Sequence, residues 1–469
     1  MPNPTRTPTM PNKTSRPSRA GLTSAIIALF ASLVACEPSD AMRHTLRPLS
    51  KDAAYAVVLS DRTSTAIALL DAEGEVIDPA WVHSGTTLPG LNAALSGDVS
   101  IPSNPDREGQ LTLLDRYRAD VMSRFDLRSG TLIGQLRLRM SDETEPSFSP
   151  NPQDLVFLDT SPRTAWVSRF GITPASSTNT AGELATDLGN DLVEVDTERM
   201  VFTGRRHLLT AFDTQVQVHG SGNESGSSSV RTEKVYARPS AVVERKGALV
   251  VGLARLSLGF DAAADGVVAL FDPTPSPQSK DASPVLGRTL DGLANCGQVT
   301  RVPGTDHEVL VSCVGFSHPF GQADRVRETS GFAIFAIEDG ALTPVKIWRA
   351  TDHPEAPNPT ANVVAIAPDL IIGIETGQGT TTPNTPDTLY AVDLRTDETH
   401  ALAASNGAFE IGTPAFSAST GLLLVPDASH GIRRFHFDAD KRTFTEQPSL
   451  DLGVRDGLPP REVRRLTLD

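Results

Sequence analysis

The chain contains three cysteines, Cys36, Cys296 and Cys313, whose surroundings limit the thiol chemistry open to each. Cys36 ends an apolar run and precedes a polar one, in "ASLVACEPSD". Cys296 and Cys313 bound the stretch "CGQVTRVPGTDHEVLVSC", in which two predicted strands fold back about residues 303–306. This hairpin places both thiols on neighbouring strands, which in an exported protein predicts a disulfide. Two buried free thiols are the alternative, and a catalytic cysteine is disfavoured because the sequence places no histidine as its base.

A set of polar residues is the second candidate site. They occupy the first positions of the predicted innermost strands of a repeated β unit, where a ring of sheets would line a central channel. These residues are Asp98, Ser147, Ser240, Gln298, Asn362 and Thr413, with Glu462 added if the C-terminal strand joins the ring. The set has no histidine and few carboxylates, so it suits water or a cation. We predict no metal centre, because a lactonase-like metal site needs a tighter group of oxygen ligands.

No cofactor is predicted. The sequence contains no CxxCH for covalent haem, no GxSxG, no GxxxxGK[ST] and no HExxH. Trp81, Trp166 and Trp348 stand at strand-like positions, which favours blade packing over stacking against a quinone cofactor. The stretch "DAAADG" at 261–266 lacks the acidic ligands of a calcium loop and predicts a β-turn.

The elements that would position these residues come from a unit that occurs seven times. Each copy joins a run of β-forming residues to an acidic turn and then to a second strand. The turn residues are Asp71, Asp126, Asp196, Asp272, Glu338, Asp393 and Asp438. Two more strand candidates precede most turns, so the sequence predicts an all-β, seven-bladed β-propeller of four-stranded antiparallel blades.

Two places in the predicted ring are irregular. The first unit begins directly with "AYAVVLSD" at 54–61, without an innermost strand, and "REVRRLTLD" at 461–469 is left over. We predict that this tail fills the gap and closes the ring, which removes the exposed sheet edges. Before Asp196, "TAWVSRFG" at 164–171 is interpreted as a third strand. Insertions are predicted as contact surfaces at 172–190, 216–235, 273–284, 316–330 and 376–387.

The net charge argues against one class of partner. The formal net charge is -15, and no cluster of Lys and Arg interrupts the acidic sequence. Such a surface repels phosphate backbones, so nucleic acid is not predicted as a partner.

The N-terminus carries the pattern of an export signal. Residues 1–20 contain four basic residues and no acidic one, and residues 21–35 are uncharged and mostly apolar. The apolar segment is shorter than the roughly 20 residues of a membrane-spanning helix, which favours a secretory signal. The quartet "LVAC" at 33–36 then resembles the lipobox of bacterial lipoproteins. This resemblance implies cleavage before Cys36, a lipid on its thiol and, with Glu37 next, delivery to the outer membrane.

The blade pattern resembles the seven-bladed propellers of the YVTN and quinoprotein-dehydrogenase-like group over residues 50–469. Neither a YVTN tetrapeptide nor a closing WD dipeptide occurs, so the resemblance implies an architecture and no particular activity. The predicted organisation is a signal peptide at 1–35, a lipidated tether at 36–51 and a propeller at 52–469. We predict a binding or scaffolding module at the cell envelope, with envelope proteins or a small ligand as partners. An envelope enzyme with a site in the channel, lactonase-like or a cofactor-dependent oxidoreductase, is the alternative.

Overall fold

A computed structural model describes ten stretches of the chain. These are residues 45–106, 109–161, 163–174, 188–219, 230–273, 286–317, 323–359, 363–377, 385–453 and 457–466. Within them the protein is almost entirely β, with seven four-stranded antiparallel sheets and one three-stranded sheet.

The strands are numbered in chain order. The first sheet contains β1 (Tyr55–Ser60), β2 (Thr65–Leu70) and β3 (Val76–His83). The second contains β4 (Val99–Ser100), β5 (Gln110–Asp115), β6 (Val121–Asp126) and β7 (Thr131–Arg137). The third contains β8 (Pro152–Phe157), β9 (Thr164–Thr173), β10 (Leu188–Asp196) and β11 (Val201–Leu208). The three-stranded sheet contains β12 (Thr214–His219), β13 (Val230–Tyr236) and β16 (Leu256–Ser257).

The remaining sheets follow in order. The fourth contains β14 (Pro239–Arg245), β15 (Ala248–Leu253), β17 (Asp265–Phe271) and β18 (Leu286–Ala294). The fifth contains β19 (Gln298–Arg301), β20 (Glu308–Val314), β21 (Ser330–Glu338) and β22 (Ala341–Arg349). The sixth contains β23 (Val364–Ala367), β24 (Leu370–Glu375), β25 (Thr388–Asp393) and β26 (Glu398–Ala404). The seventh contains β27 (Ala415–Ser417), β28 (Leu422–Asp427), β29 (Gly431–Asp438) and β30 (Thr443–Leu450), and β31 (Pro460–Arg465) belongs to the first sheet.

Three short helices complete the described structure. They are α1 (Ala323–Thr329) and the 3-10 helices η1 (Thr210–Phe212) and η2 (Ala350–Asp352). No helix in the described stretches has the length and hydropathy needed to cross a membrane.

All seven predicted acidic turns lie between the third and the outermost strand of a four-stranded sheet. In several of them the carboxylate accepts a hydrogen bond from a backbone N–H of its own turn. Examples are Asp126 with the N–H of Ser129 at 2.7 Å and Asp196 with the N–H of Arg199 at 2.9 Å. Aspartate stabilises a turn in this way without help from the rest of the fold, which explains why the repeat is visible in the sequence.

The core lies between neighbouring sheets. The second and third strands of a sheet are buried on both faces, as in β1 and β2, whereas the outermost strands are largely exposed. Each consecutive pair of sheets shares a cluster of buried apolar side chains. One further cluster joins the seventh sheet to the first and contains Leu424, Ile432, Tyr55 and Val57. The seven sheets therefore pack side by side, and the last packs on the first.

The C-terminal strand occupies the position that the sequence predicted for it. β31 pairs antiparallel with β1, with Tyr55 opposite Arg465 and Val57 opposite Val463. It also contacts the seventh sheet, because Glu462 forms a parallel bridge with Thr413. The two ends of the chain thus share one sheet.

Three segments differ from their predicted form. Residues 164–171 belong to the second strand of their sheet, β9, so their interpretation as a third strand was wrong; the third strand is β10. The error arose because the innermost strand, β8, begins only at Pro152. The predicted insertion at 216–235 is not a simple loop, because both of its ends belong to strands, β12 and β13, that pair with each other. The described part of the predicted tether packs on the second sheet, where the N–H of Leu46 donates to the carbonyl of Gly130.

Candidate functional site

Two cavities lie along the innermost strands. At the starts of these strands lies a cavity of about 500 Å³, which we call the strand-start cleft. At their ends lies a second cavity of about 330 Å³, the strand-end pocket. Both are lined by Ser103, Thr300 and Arg464, so the two cavities adjoin each other.

Most of the predicted channel residues lie together in the strand-start cleft. The structure brings Asp98, Ser240, Gln298, Thr413 and Glu462 to its wall. They come from five separate sheets or their connections, so the packing of the sheets against one another brings them together. Asn362 lies outside the described residues.

Ser147 does not lie in the cleft, and its assignment there is corrected. It is exposed and hydrogen-bonds Glu145 Oε1 at 2.9 Å, beside a different surface cavity. The loop before β8 folds around Arg139, which donates to the carbonyl oxygens of Glu143 and Phe148. This loop delays the strand start by several residues, and Gln153 and Asp154 line the cleft in place of Ser147.

The carboxylates of the cleft already have internal partners. Asp98 accepts two hydrogen bonds from Arg116, at 3.0 and 2.5 Å. Glu462 accepts from Arg464 Nε at 2.7 Å and from Ser100 Oγ at 3.0 Å. These groups are held in place by their neighbours and carry no uncompensated charge into the cavity.

Asp154 is the most deeply buried acid of the cleft. It accepts hydrogen bonds from the backbone N–H groups of Ser103 and Val242, at 2.8 and 3.0 Å. Burial nevertheless raises its pKa above the usual aspartate range, because loss of solvent outweighs these hydrogen bonds. The sequence offered a signal for this residue: the stretch "QDLVFL" has the same form as the other innermost strands.

Two arginines give the cleft an unbalanced positive charge. Arg461 donates to the carbonyl oxygens of Ser60 and Phe409, each at 3.2 Å. Neither Arg461 nor Arg62 forms an ion pair with a carboxylate in the described stretches. Burial lowers the pKa of Arg461 and the positive charge of Arg62 lowers it further, while the more distant carboxylate of Glu410 opposes the shift without forming an ion pair. The two cations therefore face one cavity wall and repel each other.

The backbone of Arg62 has an unusual conformation that its neighbours hold in place. Its φ is +73°, in the left-handed region that non-glycine residues seldom occupy. Gly97 packs directly against it, and a Cβ on Gly97 would lie 2.1 Å from the carbonyl atoms of Arg62. Ser60 Oγ donates to the carbonyl of Gly97 and accepts from the N–H of Arg62, at 2.8 and 2.9 Å. Close approach without a side chain is thus required at Gly97 for Arg62 to reach the cleft.

Free hydrogen-bonding groups lie on the wall formed by the fourth and fifth sheets. The side chains of Gln298 and Ser240 make no hydrogen bond to any described residue, and both line the cleft. An amide and a hydroxyl offer both donors and acceptors. The cleft therefore combines a cationic side with a neutral side that suits hydroxyl groups.

The two distal cysteines form a disulfide, Cys296 to Cys313. Both are fully buried in the cluster between the fourth and fifth sheets, close to the start of β19. Their role is to fix the strand that carries Gln298, and they offer no thiol to a substrate. Cys36 lies outside the described residues.

The acidic and histidine residues of the described stretches form no metal centre. No group of three or more His, Cys, Asp and Glu side chains there is arranged to hold a metal ion.

Comparison with known proteins establishes the fold class. No family model matches the sequence, and no curated protein matches it significantly. A candidate 6-phosphogluconolactonase from Bacteroides fragilis matches with a TM-score of 0.50 at 10% identity, covering 90% of this chain and 100% of that one. Its counterpart from Bacteroides uniformis gives 0.51 at 9% identity, covering 88% and 99%. The β-propeller domain of Cps50 (Swd1) from Myceliophteria thermophila gives 0.45 at 11%, covering 82% and 96%. At such identities the two likenesses with TM-scores of 0.50 and 0.51 show a shared fold and no activity.

Proposed function

We propose that the protein is a binding module whose strand-start cleft takes a small, hydroxylated organic anion. One observation carries the proposal: Arg62 and Arg461 face the cleft without a carboxylate partner, whereas the carboxylates beside them are already bonded. An anionic ligand would relieve the repulsion between the two cations and form charge-assisted hydrogen bonds with them.

The uncharged wall of the cleft, which contains Gln298 and Ser240, favours a ligand that carries hydroxyl groups. Gln298 and Ser240 have no internal hydrogen-bond partners and can donate to and accept from a hydroxylated chain. A volume of about 500 Å³ is within the range of small-molecule sites. Few apolar groups line the cavity, so an apolar ligand would leave polar groups unpaired.

Gluconate is a suitable probe, and we expect it to raise the melting temperature of the purified protein more than glucose does. Arg461→Gln should weaken gluconate binding by about tenfold or more, since a charge-assisted hydrogen bond contributes roughly 1.5 to 3 kcal/mol. Arg255→Gln is the matched control: Arg255 is also half-buried with a lowered pKa, but it lies in neither cavity. Isothermal titration measures the affinities. Equal weakening by both substitutions would refute the assignment of the cleft.

We also propose that the seven four-stranded sheets are the blades of one ring closed by β31. A separate proposal is that Cys36 carries a lipid anchor in the bacterial envelope. The shared core cluster of the first and seventh sheets supports the ring. The disulfide supports export, because such bonds persist in oxidising compartments. Envelope proteins that contact the inserted loops are a further class of partner.

Metabolic labelling tests the anchor. The wild-type chain expressed in a bacterium should incorporate a labelled fatty acid and fractionate with membranes, and Cys36→Ser should do neither. Cys313→Ser serves as the control and should still be labelled, since it retains Cys36 and the Cys313 sulfur is buried in the core disulfide. Label on the Cys36→Ser protein would overturn the lipid assignment.

A lactonase-like hydrolase is the second candidate, and the raised pKa of Asp154 favours it. A carboxylate with a raised pKa is a better general base, and Arg461 in the same cleft would stabilise a developing oxyanion. The lactonase names belong to neighbours that share the fold at 9–10% identity. Lactone ring opening that is abolished by Asp154→Asn would establish the enzyme. The binding proposal expects no turnover above the buffer rate.

A further inference from the structure

The strand-end pocket gathers positive charge in an acidic protein. Arg245, Arg301, Arg464 and Arg465 line it, although the chain has a formal net charge of -15. These residues lie on β14, β19 and β31, at the ends of innermost strands from three sheets. The sequence shows no basic cluster because the residues are far apart along the chain.

Two of these arginines have no counter-ion. Neither Arg245 nor Arg301 forms an ion pair in the described stretches, and the Nε of each is buried without a hydrogen-bond acceptor. Arg464 differs, because it is paired with Glu462 at 2.7 Å. The pocket therefore contains two guanidinium groups that form no ion pair with any residue the structure describes.

Two carboxylates near these arginines, Asp306 and Glu244, are engaged elsewhere, whereas the exposed Asp159 raises the pKa of Arg245 without forming an ion pair. Asp306 bonds Lys246 and lies 2.9 Å from His307 Nδ1. Glu244 accepts from the backbone N–H of Asp159 at 2.7 Å. Rotation of either acid toward the pocket would break these bonds, so neither is free to pair with Arg245 or Arg301.

The two arginines repel each other, and this repulsion contributes to a lowered pKa of Arg245. Burial lowers the pKa of Arg245 to about 10, and the charge of Arg301 contributes to the same shift. Two half-buried cations held together without an anion destabilise the native state. A bound anion would convert this repulsion into attraction.

We propose that the strand-end pocket is a binding site for a phosphate group. A single guanidinium suits the two coplanar oxygens of a carboxylate, but this pocket offers two guanidinium groups from separate strands and a third donor. That donor is Thr300 Oγ1, which is buried without a hydrogen-bond partner and lines the same cavity from the strand that carries Arg301. A phosphate monoester has three oxygens and close to two negative charges at neutral pH, which matches this set.

This site is separate from the strand-start cleft and does not depend on the proposed function. Its arginines lie at the opposite ends of the innermost strands, and Arg245 and Arg301 do not line the cleft. The cavity of about 330 Å³ leaves room for a small organic group attached to the phosphate.

Inorganic phosphate is the probe, added to the purified chain in a phosphate-free buffer at constant ionic strength. The melting temperature should rise with the logarithm of phosphate concentration, as linkage requires, and acetate should have a much smaller effect. Arg301→Gln and Arg245→Gln should each weaken phosphate binding about tenfold or more. Without phosphate, each variant should be as stable as the wild type or more so, because a repulsion is removed.

Two other substitutions separate this site from general charge effects. Arg255→Gln and Arg461→Gln should retain wild-type phosphate affinity. If phosphate stabilises all four variants equally, or none of the proteins at all, the proposal is refuted. Loss of binding in Arg461→Gln alone would place the anion in the strand-start cleft and refute it as well.

A vesicle assay then identifies the source of the phosphate. If vesicles that contain phosphatidic acid, whose headgroup is a phosphate monoester, sediment with the wild type but not with Arg301→Gln, the group is a lipid headgroup. If only soluble phosphate and glycerol phosphate bind, it belongs to a soluble ester.

Discussion

Truncation of the chain after residue 459 is expected to abolish cooperative folding. This truncation removes β31 and with it Val463 and Leu466, which are 0% and 4% exposed. It also removes the ladder to β1 and the bridge from Glu462 to Thr413, so the first and seventh sheets lose their common strand. Loss of a whole buried strand should lower the free energy of unfolding by about 5 kcal/mol or more.

Circular dichroism and calorimetry measure this effect, and aggregation should accompany it. Without β31, the apolar strand β1 becomes an open sheet edge, which is a template for pairing between chains. Truncation after Leu466 is the control and should melt like the full chain, because it retains β31. An unchanged melting temperature after the longer truncation would show that β31 does not close the ring.

Replacement of Arg169 by methionine should cause the second large effect, a loss of about 3 to 5 kcal/mol of stability at neutral pH. Arg169 lies on β9 with no exposed surface and donates to both oxygens of Asp191 at 2.7 Å. It also donates to Glu143 Oε2 at 2.8 Å. Burial lowers the pKa of Arg169, but the two carboxylates raise it by more, so the net shift is upward. Methionine would leave buried carboxylate charge without this partner.

The pH dependence of this variant distinguishes lost charge pairing from lost packing. Without Arg169, Glu143 loses its ion pair while Asp191 keeps Arg206 Nε at 2.6 Å, so the buried carboxylate charge that is left uncompensated should favour proton uptake on folding. The folded variant then binds more protons than the unfolded chain, so its stability falls as pH rises through this range. The deficit relative to wild type should therefore shrink as pH is lowered toward about 4.

Denaturant unfolding at several pH values tests this expectation. Arg199→Met is the matched control, because Arg199 faces Asp196 on the surface with 82% of its side chain exposed. Such a pair contributes at most about 1 kcal/mol, with little change near neutral pH. A deficit for Arg169→Met that stayed constant with pH would mean that packing, and not charge, is lost.

The features that the sequence predicted are those encoded locally. The turn at Asp126 is made by its own carboxylate, and β28 is a continuous apolar run, so both are visible within a few residues. The disulfide was predictable because one hairpin contains both cysteines. The pairing of β31 with β1 was predictable from a count of strands. The first unit lacked an innermost strand, and the C-terminal strand was left over after the seventh unit.

The features that escaped prediction depend on long-range contacts. Arg461 Nε reaches the carbonyl of Ser60 across 401 residues of sequence, so nothing local shows that it faces the cleft. Ser147 was misplaced because Arg139 folds the preceding loop through carbonyl contacts, which leave no pattern in the sequence. The arginines of the strand-end pocket were missed for the same reason.

The central claim is that the strand-start cleft binds a hydroxylated organic anion, and a crystal structure with gluconate tests it most directly. We predict the gluconate carboxylate within hydrogen-bond distance, about 3 Å, of the guanidinium of Arg461. The hydroxyl groups should contact Gln298 or Ser240, whose side chains are otherwise unbonded. Crystals that remain empty at this cleft in saturating gluconate, or that hold the ligand elsewhere, would contradict the account.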